Sequence, residues 1–434
     1  MNKNLRKFSA LILSAFLVAA CGDDDKAVDP AANLEPEFPT EFSEKSVEEN
    51  KSQLEDNGIA LVNQLTDLKG STGIQTSIAF SAHLEGSDKP DNLSGGRADA
   101  NSGLKLIDLL AALGQGKASP ADVASGMRTK ESDFESVQKS YQDLIGVYAY
   151  NKSTDTWTYN KTGDKIVFQF PSKETGTTNN AEYAVYDYKS VTITGGPIED
   201  YNGDYPTGLK ADLTVDGTKK MSYSFEAGYD SKGTPTSMKL SITIDAFTLA
   251  YAVVNTTTDL SLDYSLTGSG KVLFAYGARS KGNFNAGDVA DSEGPDQVFD
   301  SGSAYFQIMN IKFSGEVNID ALVKAIDAAD TKTKEAAAWN ANYKLIVFYA
   351  DSKKKIADSE FYVVATEDYD CRPGDGNHDG QVKPGEQLCG MYPSEGVDVR
   401  LVFADGTKSD LETYTSVGFA DLEKDLKELG ESLE

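Results

Sequence analysis

From Gly146 onward apolar residues recur at every second position, and this period-two pattern limits the fold more than any other feature of the chain. Val147-Tyr148-Ala149-Tyr150, Trp157-Thr158-Tyr159 and Ile166-Val167-Phe168-Gln169-Phe170 read as successive strands. Leu209, Ala211, Leu213 and Val215 alternate with polar residues, Asp216-Gly217 supplies a hairpin turn, and Tyr223, Phe225, Ala227 and Tyr229 return. The rhythm continues over 238–244, 249–253, 260–266 and 272–276, with further strands expected at 305–313, 343–349, 360–365 and 397–403. About ten or more sequential strands sharing one apolar face must curl to bury it. Helices are expected at 46–70, 104–113, 120–145 and 319–338 and near the C-terminus, with a short strand through Ile74, Thr76, Ile78 and Phe80. The expected class is therefore α+β and β-dominated: a curved antiparallel β-meander, half-barrel-like, with covering helices.

The order of these elements resembles the half-barrel-and-helix architecture of the lipoprotein-localisation protein family. That likeness implies a carrier with an apolar ligand held between sheet and helices.

The start of the chain reads as an address. Lys3, Arg6 and Lys7 precede an apolar run from Phe8 to Ala20. Thirteen helical residues span about 20 Å, too short for a bilayer core of roughly 30 Å. The run ends in Leu17-Val18-Ala19-Ala20-Cys21, which resembles the lipobox of bacterial lipoproteins. The resemblance implies cleavage before Cys21, acylation of that residue and anchoring in the outer membrane. The acidic run Asp23-Asp24-Asp25 resembles the surface-export signal of some Gram-negative lipoproteins, and it equally suits a solvated tether. Four segments are expected: a signal peptide at 1–20, a lipidated Cys with a disordered acidic linker at 21–45, a mainly helical segment at 46–145, and an antiparallel β-rich body at 146–434.

The chain holds 41 Lys+Arg against 68 Asp+Glu, a formal charge of −27, so its field repels phosphate and nucleic acid is not an expected partner. Three cysteines and two histidines rule out a zinc cage built from those residues.

One segment carries ion chemistry. Asp375, Asn377, Asp379, Gly380 and Glu386 match the spacing D-x-[DN]-x-[DN]-G-x₅-E. This resembles the calcium loop of EF-hands and dockerin-like modules. In such a loop Asp375, Asn377 and Asp379 turn side chains inward, Gln381 gives its backbone carbonyl, and Glu386 closes the oxygen shell. Lys383, Pro384 and Gly385 depart from the pattern, and the preceding Phe361-Tyr362-Val363-Val364 is strand-like. The expectation is one structural Ca²⁺ on a β scaffold, with a solvated acidic turn as the alternative. Cys371 and Cys389 flank the loop. With Cys21 lipidated they are the only other cysteines, and an exported protein meets oxidising surroundings, so a disulfide between them is expected.

No catalytic residue is assigned. His378 falls at a non-ligand position of the loop, and His83 reads as a surface residue. Trp157 and Trp339 read as strand or core packing rather than sugar platforms, and Asp288, Asp291, Glu293, Asp296 and Asp300 as a solvated loop. Carboxylates are too numerous for one hydrolytic pair to stand out. The sequence thus points to a non-enzymatic binding or structural role at the cell envelope. The alternatives are a carrier of a lipid or other apolar ligand and a surface polysaccharide-binding or hydrolysing protein; an envelope protein is a further possible partner.

Overall fold

A computed structural model describes residues 35–85, 87–88, 90, 137–194, 203–231, 233, 235–284, 297–373 and 387–410. The lipobox with Cys21, the Ca²⁺-type loop with Asp375, Asn377, Asp379, Gln381 and Glu386, and the expected helices at 104–113 and after 410 lie outside the described residues.

The chain is β-dominated, as expected. Among the described residues sixteen strands form one open sheet: β1 Gly146–Asn151, β2 Thr156–Asn160, β3 Ile166–Phe170, β4 Ala181–Ile193, β5 Gly203–Val215, β6 Thr218–Tyr229, β7 Pro235–Ile244, β8 Phe247–Asn255, β9 Asp259–Gly268, β10 Lys271–Gly282, β11 Phe299–Ile308, β12 Ile311–Asn318, β13 Tyr343–Tyr349, β14 Lys355–Pro373, β15 Gln387–Phe403 and β16 Lys408–Asp410. From β3 to β16 each strand pairs antiparallel with the next. The sheet is mixed because β1 pairs in parallel with β3 and β2 forms that edge. The hairpin rhythm survives because the tight turns accept left-handed backbone, at Asp216-Gly217, Asp245 and Ser269-Gly270 among others.

Among the described helices, α1 Val47–Lys69 and α2 Thr72–Glu85 lie against the apolar face. The capping box expected at α1 is present: Ser46 accepts from the Glu49 N–H, and the Glu49 carboxylate accepts from the Ser46 N–H at 2.7 Å. Leu54 packs on Ile311, Val347 and Leu401, while Leu61 meets Phe247, Leu273 and Ile308. The helix thus spans one end of the later strands.

Residues 72–85 form a helix where a strand was expected. Ile74, Ser77, Phe80 and Leu84 are all buried, which is the helical spacing, and Ile78 is turned out to 42 % exposure. The N-terminus of α2 is held by a distant cap, since the Gly73 N–H donates to Asp245 Oδ2 at 2.9 Å. A Cβ at Gly73 would lie 2.8 Å from the Lys220 carbonyl oxygen, so glycine permits this close approach to β6. Phe80 is ringed by Trp157, Phe168, Phe170 and Tyr183, with centroids 4.7–6.3 Å away.

A short helix, α3 Val137–Leu144, precedes β1. The single helix expected at 319–338 is two, α4 Ile319–Asp327 and α5 Lys332–Asn342, because Thr331 supplies a fresh N-cap to the Lys334 N–H.

Two further departures matter. On β4–β8 one face is apolar and the other polar, as alternation requires: Val185, Ala211, Tyr223, Ile242 and Leu249 face one way, and Ala184, Asp212, Ser222 and Thr243 the other. On β8–β13 that second face is also buried. Its rows run Ala250, Ser265, Ala275, Gln307, Lys312, Phe348 and Ala252, Asp263, Gly277, Tyr305, Ser314, Ile346. Residues 35–45, the end of the expected disordered linker, are ordered across this face. Glu37 N–H donates to Ser314 Oγ at 3.2 Å, and Ser43 and Glu41 bond the Lys355 backbone.

Candidate functional site

Three regions combine chemistry with position: the strap at 35–45 with its buried ions, a polar cavity, and the β14–β15 arm.

Lys312 is 1 % exposed, a position where a lone ammonium is not stable. Its Nζ donates to the Glu35 carbonyl at 2.5 Å and to Glu37 Oε1 at 2.9 Å, and it sits 4.7 Å from the Tyr305 ring centroid. Burial pushes the Lys312 pKa down, and the Glu37 bond offsets only part of this. For Glu37 burial acts upward, but bonds from Lys353 and Lys312 outweigh it and hold the carboxyl below its ordinary value. Beside this pair Asp263, also buried, accepts from Arg279 Nη2 at 3.0 Å and from the Tyr305 hydroxyl at 2.9 Å. Burial raises the Asp263 pKa against the pull of Arg279 and Tyr305. Gly277 makes the room: a Cβ there would lie 2.4 Å from the Tyr305 ring and 2.6 Å from Asp263 Oδ1. Gly277→Ala is expected to cost about 1–3 kcal/mol by overpacking, checked by urea denaturation. These groups clamp the strap, and the sequence reading missed all of them. The signal available was the pair of acids Glu35 and Glu37 on either side of Pro36, and Lys312 between the apolar Ile311 and Phe313.

The cavity, about 720 Å³, lies at the end of the sheet remote from α1, between the ends of β10–β14 and α5. Its wall is mixed: Arg279, Lys281 and Lys344 face Glu316 and Asp358, with Val317, Ala341 and Leu345 among them. Each of these carboxylates has a lysine, Lys344 at 3.7 Å from Glu316 and Lys355 at 2.7 Å from Asp358.

His83 is buried rather than exposed. Its Nε2 lies 3.2 Å from the Pro171 carbonyl, an acceptor only, which places the ring proton on that nitrogen. The His83 carbonyl accepts from Trp157 Nε1 at 3.1 Å. Trp157 is core, and Trp339 stacks on Phe361 with centroids 5.1 Å apart, so both pack as expected. Burial lowers the His83 pKa below 6.5. Below that pH the unfolded chain binds a proton that the folded chain refuses, so stability falls as the solution is acidified. His83→Gln is expected to flatten this slope, at most about 1.4 kcal/mol per pH unit, as the pH falls below about 6.5 in urea titrations.

The arm is the third region. β13 pairs with β14 only as far as Ile346 opposite Asp358, whereas β14 and β15 stay in unbroken register to Pro373 opposite Gln387. The twelve steps from Phe361 to Pro373 make a ribbon of about 40 Å. At its root Phe361 N–H donates to Asn340 Oδ1 and its carbonyl accepts from Asn340 Nδ2, both at 2.8 Å. Phe361 therefore points both backbone groups away from β15. Alternate residues repeat this, so Val363, Ala365, Glu367, Tyr369 and Cys371 occupy non-hydrogen-bonded positions of the β14–β15 pair. Cys371 lies directly opposite Cys389. Cα atoms at such a position are about 4.5 Å apart, within disulfide range.

Among the described residues no three His, Cys, Asp or Glu side chains converge to hold a metal, and no described helix is long and apolar enough to cross a membrane. No protein-family model, no curated protein and no solved structure matches the chain.

Proposed function

We propose that this is an exported, lipid-anchored lipoprotein of the outer membrane with a non-enzymatic binding or structural role. Its long β arm is clipped by a Cys371–Cys389 disulfide and closed by one structural Ca²⁺ on Asp375, Asn377, Asp379, the Gln381 carbonyl and Glu386. The observation that supports this best is the register. It brings the two cysteines opposite each other at the foot of the loop that carries the calcium spacing. A two-stranded ribbon is marginal by itself in water, so a 40 Å arm needs such a staple at its tip. A Ca²⁺ loop draws its first and twelfth positions to one ion, which suits ends held as cross-strand neighbours at Pro373 and Gln387. The strap sets the tether. Fourteen steps separate Cys21 from Glu35 (35 − 21), a reach of at most about 50 Å from the membrane to the folded body.

Mass spectrometry of protein from its native membranes tests this reading. Expected are an N-terminal acylated Cys21 and a Cys371–Cys389 cross-linked peptide released by reductant; a chain beginning at Met1 with free thiols contradicts it. The cavity supports a second reading, a surface protein that binds a polar ligand such as a polysaccharide, through the charged groups of Arg279, Lys281, Lys344, Glu316 and Asp358 in its wall.

A further inference from the structure

We infer that the outer edge of β14 from Val363 to Glu367 is a docking site for an extended, basic segment of a partner protein, added as a further strand. The backbone N–H and carbonyl groups of Val363, Ala365 and Glu367 point away from β15, and among the described strands none pairs with β14 beyond Asp358 on that side. An unpaired row of this kind is a template for another strand.

The two edges of the arm differ. On β15, Pro393 stands opposite Glu367, so its missing N–H lies on the outer edge of β15, and Gly390 and Gly396 interrupt the same strand. Proline at such a place blocks strand addition. From Val363 to Arg372 β14 has no proline, glycine or lysine, and its register carries no bulge. One edge is guarded and the other is left continuous. Asn340 fixes where an added strand must stop, because its side-chain amide already fills the rung at Phe361 as a peptide group would.

Charge selects the occupant. Glu367, Asp368 and Glu395 are exposed on the arm, and neither 363–368 nor 391–399 contains a lysine or arginine. A second copy of this chain, with its charge of −27, would set acid against acid across the new pair, whereas alternating Lys or Arg would complement it. The surface therefore fits a cationic strand and rejects its own kind.

The test uses the oxidised, calcium-loaded protein and a fluorescent ten-residue peptide of alternating lysine and threonine, with alternating glutamate and threonine as control. Saturable one-to-one binding of the lysine peptide is expected. Ala365→Pro removes an outward donor without touching the β14–β15 bonds and is expected to weaken binding about tenfold or more. Met391→Pro, opposite Tyr369 on the guarded edge and uncharged, is expected to change it less than about twofold. Loss of binding in Glu367→Lys with Ala365→Pro neutral, or equal loss in both proline variants, would mean diffuse charge attraction and would overturn the proposal. Amide exchange on the unmodified protein decides independently of any variant's folding. The Ala365 and Glu367 amides should exchange freely alone and slow with the lysine peptide. Protection in the absence of peptide would show an edge already covered and would equally overturn it. Calcium binding and the cross-link are measured on the same samples, so a failure here is distinguishable from failure of the lipoprotein reading.

Discussion

Glu37→Ala is expected to lower the stability of the folded protein by about 3 kcal/mol, read as a fall in the urea midpoint at unchanged slope. The variant leaves the Lys312 ammonium among the Tyr305 and Phe348 rings with only the Glu35 carbonyl as an oxygen partner. Removing one member of a buried pair costs far more than removing both, because the surviving charge keeps its desolvation penalty. Lys312→Met, which keeps most of the stem volume, is therefore expected to cost less, since Glu37 is one-third exposed and retains Lys353 at 2.6 Å. The double variant should recover about 2 kcal/mol relative to Glu37→Ala alone. Additive losses would show that strap and sheet are not coupled through this pair. The same clamp should weaken in acid. The Glu37 pKa is held below its ordinary value, so its contribution is intact above that value and is lost as pH falls through the folded one.

The second large effect concerns the arm. Replacing Cys371 and Cys389 by serine is expected to remove roughly 3 kcal/mol from the opening free energy of the ribbon, an acceleration of about 100-fold in amide exchange beyond Val363. The effect should stay local. The core around Phe80, Phe168 and Tyr183 shares no side chains with the arm, so its slowest amides should keep their rates. Exchange in the arm that is indifferent to the cysteines would remove the disulfide from the account.

These features differ in how far the sequence displays them, for physical reasons. The early strands of the meander are legible because they bury one face, and Leu209 to Val215 or Met238 to Ile244 write that face as alternation. The segment Ile74, Thr76, Ile78, Phe80 alternates too, but Ser77 and Ala79 within it and Gly73 just before it are small buried residues rather than solvent-facing ones. Close packing of a helix on β6 then overrides the apparent period. The second buried face was hidden for a related reason. Ala250, Ser265, Ala275 and Gly277 look like a solvated surface, yet small side chains are what allow a strap to lie against a sheet. Lys312 and Asp263 look like surface charges until their partners Glu37 and Arg279 arrive from 275 and 16 positions away, respectively. His83 was misjudged because burial depends on Pro171 and Tyr150, not on its own neighbours. At the candidate site, the spacing of Asp375 to Glu386 and its flanking cysteines was readable at once. The length of the arm was not, because Pro393, Gly390 and the acidic residues mask the strand pattern before Val397.

Calorimetric titration of Ca²⁺ into the oxidised body, with and without Asp375→Ala and Glu386→Ala, tests the central claim most directly. The account predicts a single saturable site with a dissociation constant on the order of 10⁻⁴ M that disappears in both variants. Equal heats from all three proteins would contradict it.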